Sequence, residues 1–438
     1  MKFTKFFIVV LIIVINVSIT DAQANIGGLL LRQSSDGLEI VTVSETGEVL
    51  SVARTLADYA IAPDSEASWI LHPDYLIPTP QNITLSPDGT TVAFVVIQNE
   101  ENFRLIVYQH DIDRLLVNDI PAYAYPTWSP DGESLLLDMA NASNTTIYES
   151  MIYMPDFGFD ILTEQEAHAI ANTFQWLPDE NQIIYMKNRD IFLTDSQGSF
   201  HRQLTTIEDA ILLEITPSIC EMVASSERIY FTVGCADDTE YLYSVDLDGN
   251  VRLELSLVDL YSDGYMPFFV PMRIAGIFPD AVSTDVFLLL EVQTANPENS
   301  SQDTTHAVHR LTAPQTTELI FERTYSVDDA IAISVVSLSP GQDYLAFAGG
   351  SSLTEGSFVL TVINPEDGTI IFEQNGLQGI CELDWLSETV LAYEEISRLN
   401  CFAERFASNI YTVNLVDGQE NLLSDSISLL ATSLRYFE

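Results

Sequence analysis

A tight-turn motif followed by an apolar run recurs along this chain. The clearest copies are residues 85–89 (Leu-Ser-Pro-Asp-Gly) and 128–132 (Trp-Ser-Pro-Asp-Gly), and weaker copies occupy 176–181 and 338–341. In such a turn, proline fixes φ, the aspartate accepts local backbone N–H groups, and glycine tolerates a positive φ. Because every copy leads into an apolar β-type run, the pattern predicts a strand–turn–strand unit at each position.

Three further units lack this tetrapeptide. Residues 219–221 and 380–382 both read Ile-Cys-Glu and lie 161 residues apart. Both lead through a Ser-Glu pair, at 226–227 and 387–388, into another apolar run. A degenerate copy lies at 279–283. These positions predict three more units in the same register.

The spacing of the units predicts the architecture. Turn centres near residues 87, 130, 178, 226, 281, 340 and 387 are 43 to 59 residues apart, which is the period of a four-stranded propeller blade. We therefore expect an all-β fold, a β-propeller of four-stranded blades in a single domain over residues 25–438. Residues 28–54 supply three strands and 426–436 one, so pairing of the C-terminal strand with the N-terminal blade would close the ring. This gives eight blades, or seven if the copy at 279–283 is not a blade.

The repeat resembles the TolB-type, WD-like propeller repeat. The same repeat builds the propeller of prolyl-oligopeptidase-type peptidases. The resemblance rests on residues 128–132 and the strand that follows, and it extends over essentially the whole segment after the leader. It implies the propeller fold. It says little about function, because propellers host binding, scaffolding and catalysis alike.

The N-terminus reads as a signal peptide over residues 1–24. Lys2 and Lys5 precede an apolar run at 6–17, and Ala22-Gln23-Ala24 has the small-x-small pattern of a cleavage site. The run of about 12 residues is short for a membrane span, which needs about 20; an uncleaved anchor is the alternative. We expect a secreted, periplasmic or cell-surface protein without stable membrane insertion after cleavage.

The charge balance is strongly acidic, with 17 basic and 64 acidic residues and a formal net charge of −47. Such a surface repels phosphate backbones, so nucleic-acid binding is not expected. Solubility is the simple interpretation; attraction of cations or of a basic partner is the alternative.

The cysteines of an exported chain are expected to form disulfides. Cys220 and Cys381 occupy matching positions at the start of an innermost strand, and Cys235 and Cys401 each lie in the loop after the second strand of the same unit. Because the start of one strand and the end of the next lie on the same side of an antiparallel blade, we predict the pairs Cys220–Cys235 and Cys381–Cys401.

The two faces of the propeller are expected to differ. We call the face that carries the Ser-Pro-Asp-Gly turns and the other short first-to-second and third-to-fourth strand turns the turn face, and the opposite face the loop face. Long connections on the loop face, such as 58–80 and 259–271, bring aromatic residues that are candidate binding residues; packing beneath their own loop is the alternative for each. These residues are Trp69, Tyr75, Tyr261, Tyr265, Phe268 and Phe269. Trp128, Trp176 and Trp385 are instead expected to end innermost strands and to pack between blades.

Signatures of catalysis and of cofactor binding are weak. The sequence contains no Gly-x-Ser-x-Gly elbow and no glycine-rich nucleotide motif. The stretch 246–250 resembles the start of a calcium loop but suits a hairpin turn better. His306 and His309 lie three residues apart on a predicted strand, so their side chains would point to opposite faces.

We therefore expect a non-catalytic module that binds a protein, peptide or glycan, or serves as a scaffold, through its loop face. No cofactor is expected, although calcium without a recognisable motif stays open. The alternative is a carboxylate- or calcium-dependent hydrolase or lyase that acts at the central channel.

Overall fold

The structure, a computed structural model, is built from β-strands that follow the repeat. It describes residues 26–61, 75–76, 83–99, 102–120, 123–140, 147–154, 158–166, 174–178, 180–187, 190–196, 200–206, 219–234, 241–261, 272–280, 283–295, 302–327, 332–350, 356–396, 408–424 and 428–432. Seven four-stranded antiparallel sheets, the blades, and one six-stranded sheet are formed.

The strand bounds of the blades follow chain order, and each sheet is given from its innermost to its outermost strand. Blade 1 is β34 (Ser428–Thr432), β1 (Ile26–Ser34), β2 (Gly37–Ser44) and β3 (Val49–Leu56); blade 2 is β10 (Tyr123–Trp128), β11 (Leu135–Ala140), β12 (Ile147–Met154) and β13 (Gly158–Glu166). Blade 3 is β14 (Phe174–Trp176), β15 (Gln182–Lys187), β16 (Asp190–Asp195) and β17 (His201–Gln203); blade 4 is β18 (Ile219–Ala224), β19 (Arg228–Val233), β20 (Tyr241–Asp246) and β21 (Val251–Ser256). Blade 5 is β22 (Met272–Pro279), β23 (Val286–Ala295), β24 (Gln302–Ala313) and β25 (Thr316–Val327); blade 6 is β26 (Ala332–Leu338), β27 (Leu345–Gly350), β28 (Phe358–Ile363) and β29 (Ile370–Leu377). Blade 7 is β30 (Ile380–Ser387), β31 (Val390–Ile396), β32 (Ser408–Asn414) and β33 (Gln419–Ser424). One short helix, α1 (Leu257–Tyr261), follows blade 4.

The six-stranded sheet lies between blades 1 and 2 and departs from the repeat at its inner edge. It contains β4 (Ala60–Ile61), β5 (Tyr75–Leu76), β6 (Ile83–Leu85), β7 (Thr91–Asn99), β8 (Asn102–Gln109) and β9 (Arg114–Ile120). Both β5 and β6 pair with β7, β6 over residues 92–94 and β5 over residues 96–97. They therefore lie end to end where a blade has one innermost strand, and β4 adds a short parallel pairing to β5.

The innermost strands follow one another around a ring. Contacts join β34 to β6, β6 to β10, and each of β14, β18, β22, β26 and β30 to its successor, with β30 reaching β34. Between β10 and β14, the Trp176 indole Nε1–H donates a hydrogen bond of 3.1 Å to the Thr127 carbonyl oxygen. The C-terminal strand β34 pairs with β1 antiparallel, with Leu30 opposite Leu430.

The core lies between consecutive sheets because both faces of each inner strand are apolar. On β1, Leu29 and Leu31 pack against Ile83 and Phe94 of the six-stranded sheet. Leu30, on the other face of the same strand, packs against residues of blade 7. This alternation follows from the period of two of a β-strand, and it repeats from sheet to sheet.

The structure confirms the all-β propeller and corrects the expected eight four-stranded blades to seven. The degenerate copy at 279–283 does separate β22 from β23, so it is not the source of the difference. The difference lies in the segment 58–80, which the sequence predicts as a loop but which contributes β4 and β5. Two-residue strands carry no periodic pattern, so the sequence gives no signal for them. Within the described residues, no helix is long and apolar enough to cross a membrane.

Candidate functional site

The aromatic residues proposed for the loop face fall largely outside the described residues. Trp69, Tyr265, Phe268 and Phe269 lie outside them. Tyr75 begins β5 and Tyr261 ends α1, and the structure describes only the backbone of these two. The aromatic binding site therefore stays a prediction.

For the cysteines, the structure shows only whether Cys220 and Cys381 occupy matching strand positions. Cys220 and Cys381 are each the second residue of the innermost strand of their blades, β18 and β30, as the internal repeat predicts. Cys235 and Cys401 lie outside the described residues. The proposed disulfide pairs stay predictions.

On the turn face, the Ser-Pro-Asp-Gly motif forms a closed hydrogen-bond network. Ser86 Oγ donates to Asp88 Oδ1 at 2.6 Å and accepts from the backbone N–H of Thr91 at 2.9 Å. Ser129 makes the same two bonds, at 2.6 and 2.9 Å, with Asp131 and the N–H of Ser134. The aspartate is thus tied to the serine that precedes it, and the serine to the strand that follows.

These bonds set the ionisation of the turn aspartates. Partial burial alone would raise the pKa of Asp88, but the hydrogen bonds donated by Ser86 and Thr90 outweigh it and hold the pKa below its usual value. The pKa of Asp131 is lowered in the same way: burial acts against bonds from Ser129, Glu133 N–H and Asn181. A carboxylate held ionised by such bonds is a poor general acid at neutral pH.

In blade 6 the motif reads Ser339-Pro340-Gly341 and lacks the aspartate, and a residue of blade 7 replaces it. Glu388 accepts a 2.5 Å bond from the Ser339 hydroxyl and a 2.5 Å bond from the backbone N–H of Gly341. The next residue, Gln342, takes the left-handed φ of 64° that glycine has in the complete motifs. The sequence analysis did not predict this role of Glu388. The only sign of it in the turn is Gly341, which stands where the complete motif has an aspartate.

The turns of consecutive sheets are linked on this face. Besides the Glu388 contact, Asn181 of blade 3 donates to the Asp131 carboxylate of blade 2. The Gln342 side-chain amide of blade 6 donates a 3.1 Å bond to the Pro279 carbonyl of blade 5. Side-chain bonds between blades also occur at the innermost strands, where Gln175 Nε2 donates a 2.6 Å bond to the carbonyl of Met222.

A cavity opens on the turn face between the six-stranded sheet and blade 2. Its volume is about 160 Å³. The six-stranded sheet contributes residues of the turn and of strands β7, β8 and β9, and blade 2 contributes the end of β10 and its turn. The lining residues include Asp88, Val107, Gln109, Arg114, Leu116 and Trp128.

The predicted packing of the three tryptophans between blades is confirmed, and Trp128 and Trp176 end their innermost strands, whereas Trp385 lies two residues before the end of β30. Trp128, Trp176 and Trp385 are at most 3% exposed. Trp128 packs against residues of the six-stranded sheet, including Val95 and Leu105. Their indole N–H groups differ: that of Trp176 is bonded to the preceding blade, whereas those of Trp128 and Trp385 have no acceptor.

An ion pair on blade 5 connects to blade 6. Glu291, only 4% exposed on β23, forms an ion pair with Arg273 at 3.2 Å and accepts a hydrogen bond from the backbone N–H of Ile333 at 3.0 Å. Arg273 also donates a 2.8 Å bond to the carbonyl of Ile333. The pair therefore fixes the beginning of β26 against its neighbour.

Blade 7 buries three carboxylates near the ring axis. Glu382 and Asp384 lie on the innermost strand β30, and Glu394 lies on β31 directly opposite Glu382. All three are at most 8% exposed. Across the described part of the chain, no group of three or more histidine, cysteine, aspartate or glutamate residues has an arrangement that could hold a metal ion.

His306 and His309 both lie on β24 and are buried. Their separation of three residues directs them to opposite faces of the sheet. The His306 ring contacts the Phe347 ring of blade 6, with centroids 6.3 Å apart. Burial lowers the pKa of His309 to about 4. The pair therefore does not converge on one ligand.

Comparison with known proteins finds β-propellers among the similar solved structures. No protein-family model matches it, and no curated protein sequence does. The propeller domain of the Trilobed protease from Pyrococcus furiosus is similar at 13% identity and a TM-score of 0.46, over 81% of this chain and 98% of that one. A periplasmic gluconolactonase of Pseudomonas aeruginosa is similar at 13% identity and 0.43, over 94% and 98%. A prolyl endopeptidase is similar at 13% identity and 0.47, over 85% of this chain and 55% of that one.

Proposed function

We propose that this chain is an exported, TolB-type β-propeller without catalytic activity, which binds a protein, peptide or glycan at its loop face. The observation that carries the proposal is the use of polar side chains at the seams between blades. Gln175, Trp176 and Glu388 each bond to a neighbouring blade. Polar groups used in this way hold a rigid ring together, and a rigid ring that presents long loops is suited to binding.

The charge of the chain favours one kind of partner. A formal net charge of −47 raises the local concentration of positively charged molecules and speeds their association at low salt. The loop-face aromatics, Tyr261, Tyr265 and Phe268 among them, would supply the apolar contact area that binding sites usually need. A basic protein or peptide segment therefore fits the proposal best.

The test is capture of partners from the extracytoplasmic fraction of the source organism on the immobilised protein. The triple variant Tyr261→Ala, Tyr265→Ala, Phe268→Ala should lose capture without a change in Tm. The control is Phe200→Ala, which removes an aromatic side chain that is 40% exposed before β17. Equal capture by the wild type and the triple variant would refute the assignment to the loop face.

The second candidate is a hydrolase or lyase that acts near the channel. The buried carboxylates Glu382, Asp384 and Glu394 favour it, because Glu394 lies directly opposite Glu382 and carboxyl groups are the side chains that general acid–base hydrolysis uses. Turnover of a lactone or a glycan that is abolished by Glu394→Gln, together with a rise in Tm on addition of calcium, would support it. If neither lactones nor glycans are turned over and calcium does not raise Tm, the binding proposal stands.

A further inference from the structure

The outermost strands of the sheets form the edges of the propeller, and most of these edges are interrupted. An outermost strand directs alternate backbone N–H and C=O groups away from its single neighbour, so it can pair with a strand of another chain. A β-bulge is one of the devices that disfavour such pairing. In the described part of the chain, the register shift typical of a bulge occurs in six outermost strands, which are β3, β13, β21, β25, β29 and β33.

Two of the outer edges are restricted in another way. The outermost strand of blade 3, β17, has only three residues. The edge of blade 4 is covered by Gln315, which lies in the turn between β24 and β25 of blade 5. Its backbone N–H donates a 2.7 Å bond to the carbonyl of Glu254 on β21, and its side-chain oxygen accepts a 3.3 Å bond from the N–H of Ser256. Blade 5 therefore occupies part of the edge of its neighbour.

The outermost strand of the six-stranded sheet, β9, shows neither kind of restriction. Seven consecutive residue pairs join it to β8 without a register shift, from Arg114 opposite Gln109 to Ile120 opposite Phe103. Within the described residues, β9 pairs with β8 alone. Val117, at the centre of β9, is 43% exposed. Among the outermost strands that the structure describes, β9 therefore combines a length of seven residues with an unbroken register.

The side of β9 that faces blade 2 borders a cavity. Leu116 packs with the core shared with blade 2. Arg114 and Leu116 both line the cavity of about 160 Å³ described above, and Val107 of β8 lies in the same wall. A strand added beside β9 would place every second side chain on this side. Because Arg114 is positively charged, apolar side chains suit this side better than basic ones.

The opposite side of β9 faces blade 1 and carries negative charge. Leu115 packs with the core shared with blade 1, and residues two apart share a face of a strand, so Val117 and Asp119 lie on this side too. The Asp119 side chain is 87% exposed, although its carboxylate pairs with Arg104 at 3.1 Å. Lysine or arginine side chains of an added strand can cover Val117 with their methylene stems and place their charge beside Asp119.

We infer that β9 is a docking site for an extended, basic segment of a partner protein, which adds to the six-stranded sheet as a further strand. Main-chain hydrogen bonds supply affinity, and the two sides of β9 select a segment that alternates basic and apolar residues. The net charge of −47 attracts such a segment and opposes the docking of a second copy of this chain. The site lies on the outer rim, so it is separate from the proposed partner site on the loop face.

The probe is a fluorescent peptide, acetyl-Lys-Val-Lys-Val-Lys-Val-Lys-amide, whose binding is followed by fluorescence anisotropy. As a strand it places its lysines on one side and its valines on the other, and it should bind saturably. The same peptide with glutamate in place of lysine should not bind. N-methylation of the central valine and of the two adjoining lysines blocks both edges of the peptide strand while the charge and side chains remain. That peptide should not bind either.

Two matched variants of the protein locate the site. Val117→Lys places a like charge beside the lysines of the peptide and should weaken binding roughly fivefold, with Tm unchanged because the side chain is exposed. Val52→Lys is the control: it adds the same charge at a valine that is 45% exposed on the bulged strand β3, and it should bind as the wild type does. The triple variant of the loop face should also bind as the wild type does.

The inference is overturned if the protein does not bind the peptide or binds its N-methylated form equally well. It is also overturned if Val117→Lys and Val52→Lys have the same effect. Binding that is lost in the triple variant of the loop face and kept in Val117→Lys would place the peptide at the loop face. That result would overturn the β9 site and support the proposed function, so the two can fail independently.

Discussion

Removal of the Glu388 carboxylate should destabilise the seam between blades 6 and 7. In two other turns the serine hydroxyl is satisfied by an aspartate two residues later, as Ser86 is by Asp88. In blade 6 that position is Gly341, and Glu388 of the next blade accepts from both Ser339 and Gly341 instead. In Glu388→Ala, the fully buried Ser339 hydroxyl loses its acceptor, whereas the exposed Gly341 N–H can turn to water.

The expected loss in the free energy of unfolding of Glu388→Ala follows from this difference in exposure. A buried group left without its partner costs about 1–3 kcal/mol, and an exposed one costs much less, so we expect a loss of about 2 kcal/mol. With an unfolding entropy of about 2.1 cal/mol/K per residue, a ring of this size that unfolds as one unit should lose about 2–3 °C in Tm. The change is small, so it needs a matched control.

Calorimetry of Glu388→Ala beside Glu227→Ala provides that comparison. Glu227 is the repeat-equivalent residue of blade 4, 161 residues earlier, and its side chain is exposed. Its substitution should leave Tm unchanged. The motif can also be rebuilt: Gly341→Asp with Gln342→Gly should restore Tm in the Glu388→Ala background. Equal effects of the two glutamate variants, or no rescue, would refute the reasoning.

Two other predictions rest on buried groups, and a third concerns the disulfides. Glu291→Ala should cost about 2 kcal/mol in urea unfolding because the N–H of Ile333 loses its acceptor, and Glu291→Gln, which keeps one, should cost less. The folded pKa of His309 is about 4 against an unfolded value of about 6.5, so its contribution to stability is present above pH 6.5 and is lost as the pH falls towards 4. Between pH 7 and pH 5 the wild type should therefore lose about 2 kcal/mol more than His309→Gln; parallel losses in both proteins would contradict the assignment. Peptide mapping of the non-reduced protein should find the disulfides, and pairs between blades would show that the cysteine register is wrong; the expected pairs are Cys220–Cys235 and Cys381–Cys401.

Much of the fold could be predicted because the repeat is a local pattern. The turn at 86–89 and the strand that follows it depend on neighbouring residues alone, and so does the apolar alternation that places Trp128 at the end of an innermost strand. The Ile-Cys-Glu landmarks likewise mark the innermost strands of blades 4 and 7. Such features survive in the sequence because turn chemistry and strand periodicity act over a few residues.

The seams between sheets were decided by the tertiary structure. Glu388 replaces an aspartate missing from a turn about 47 residues earlier, and two-residue strands divide the inner edge of the six-stranded sheet. Trp128 and Trp176 occupy equivalent positions of the repeat, yet Trp128 lines a cavity and Trp176 bonds to the preceding blade. The difference comes from the packing of the neighbouring sheet, which a repeat pattern does not encode. The four-stranded unit and its strand register are therefore readable in the sequence, because they depend on local chemistry, whereas the number of four-stranded blades and the bonds between blades depend on packing between distant residues.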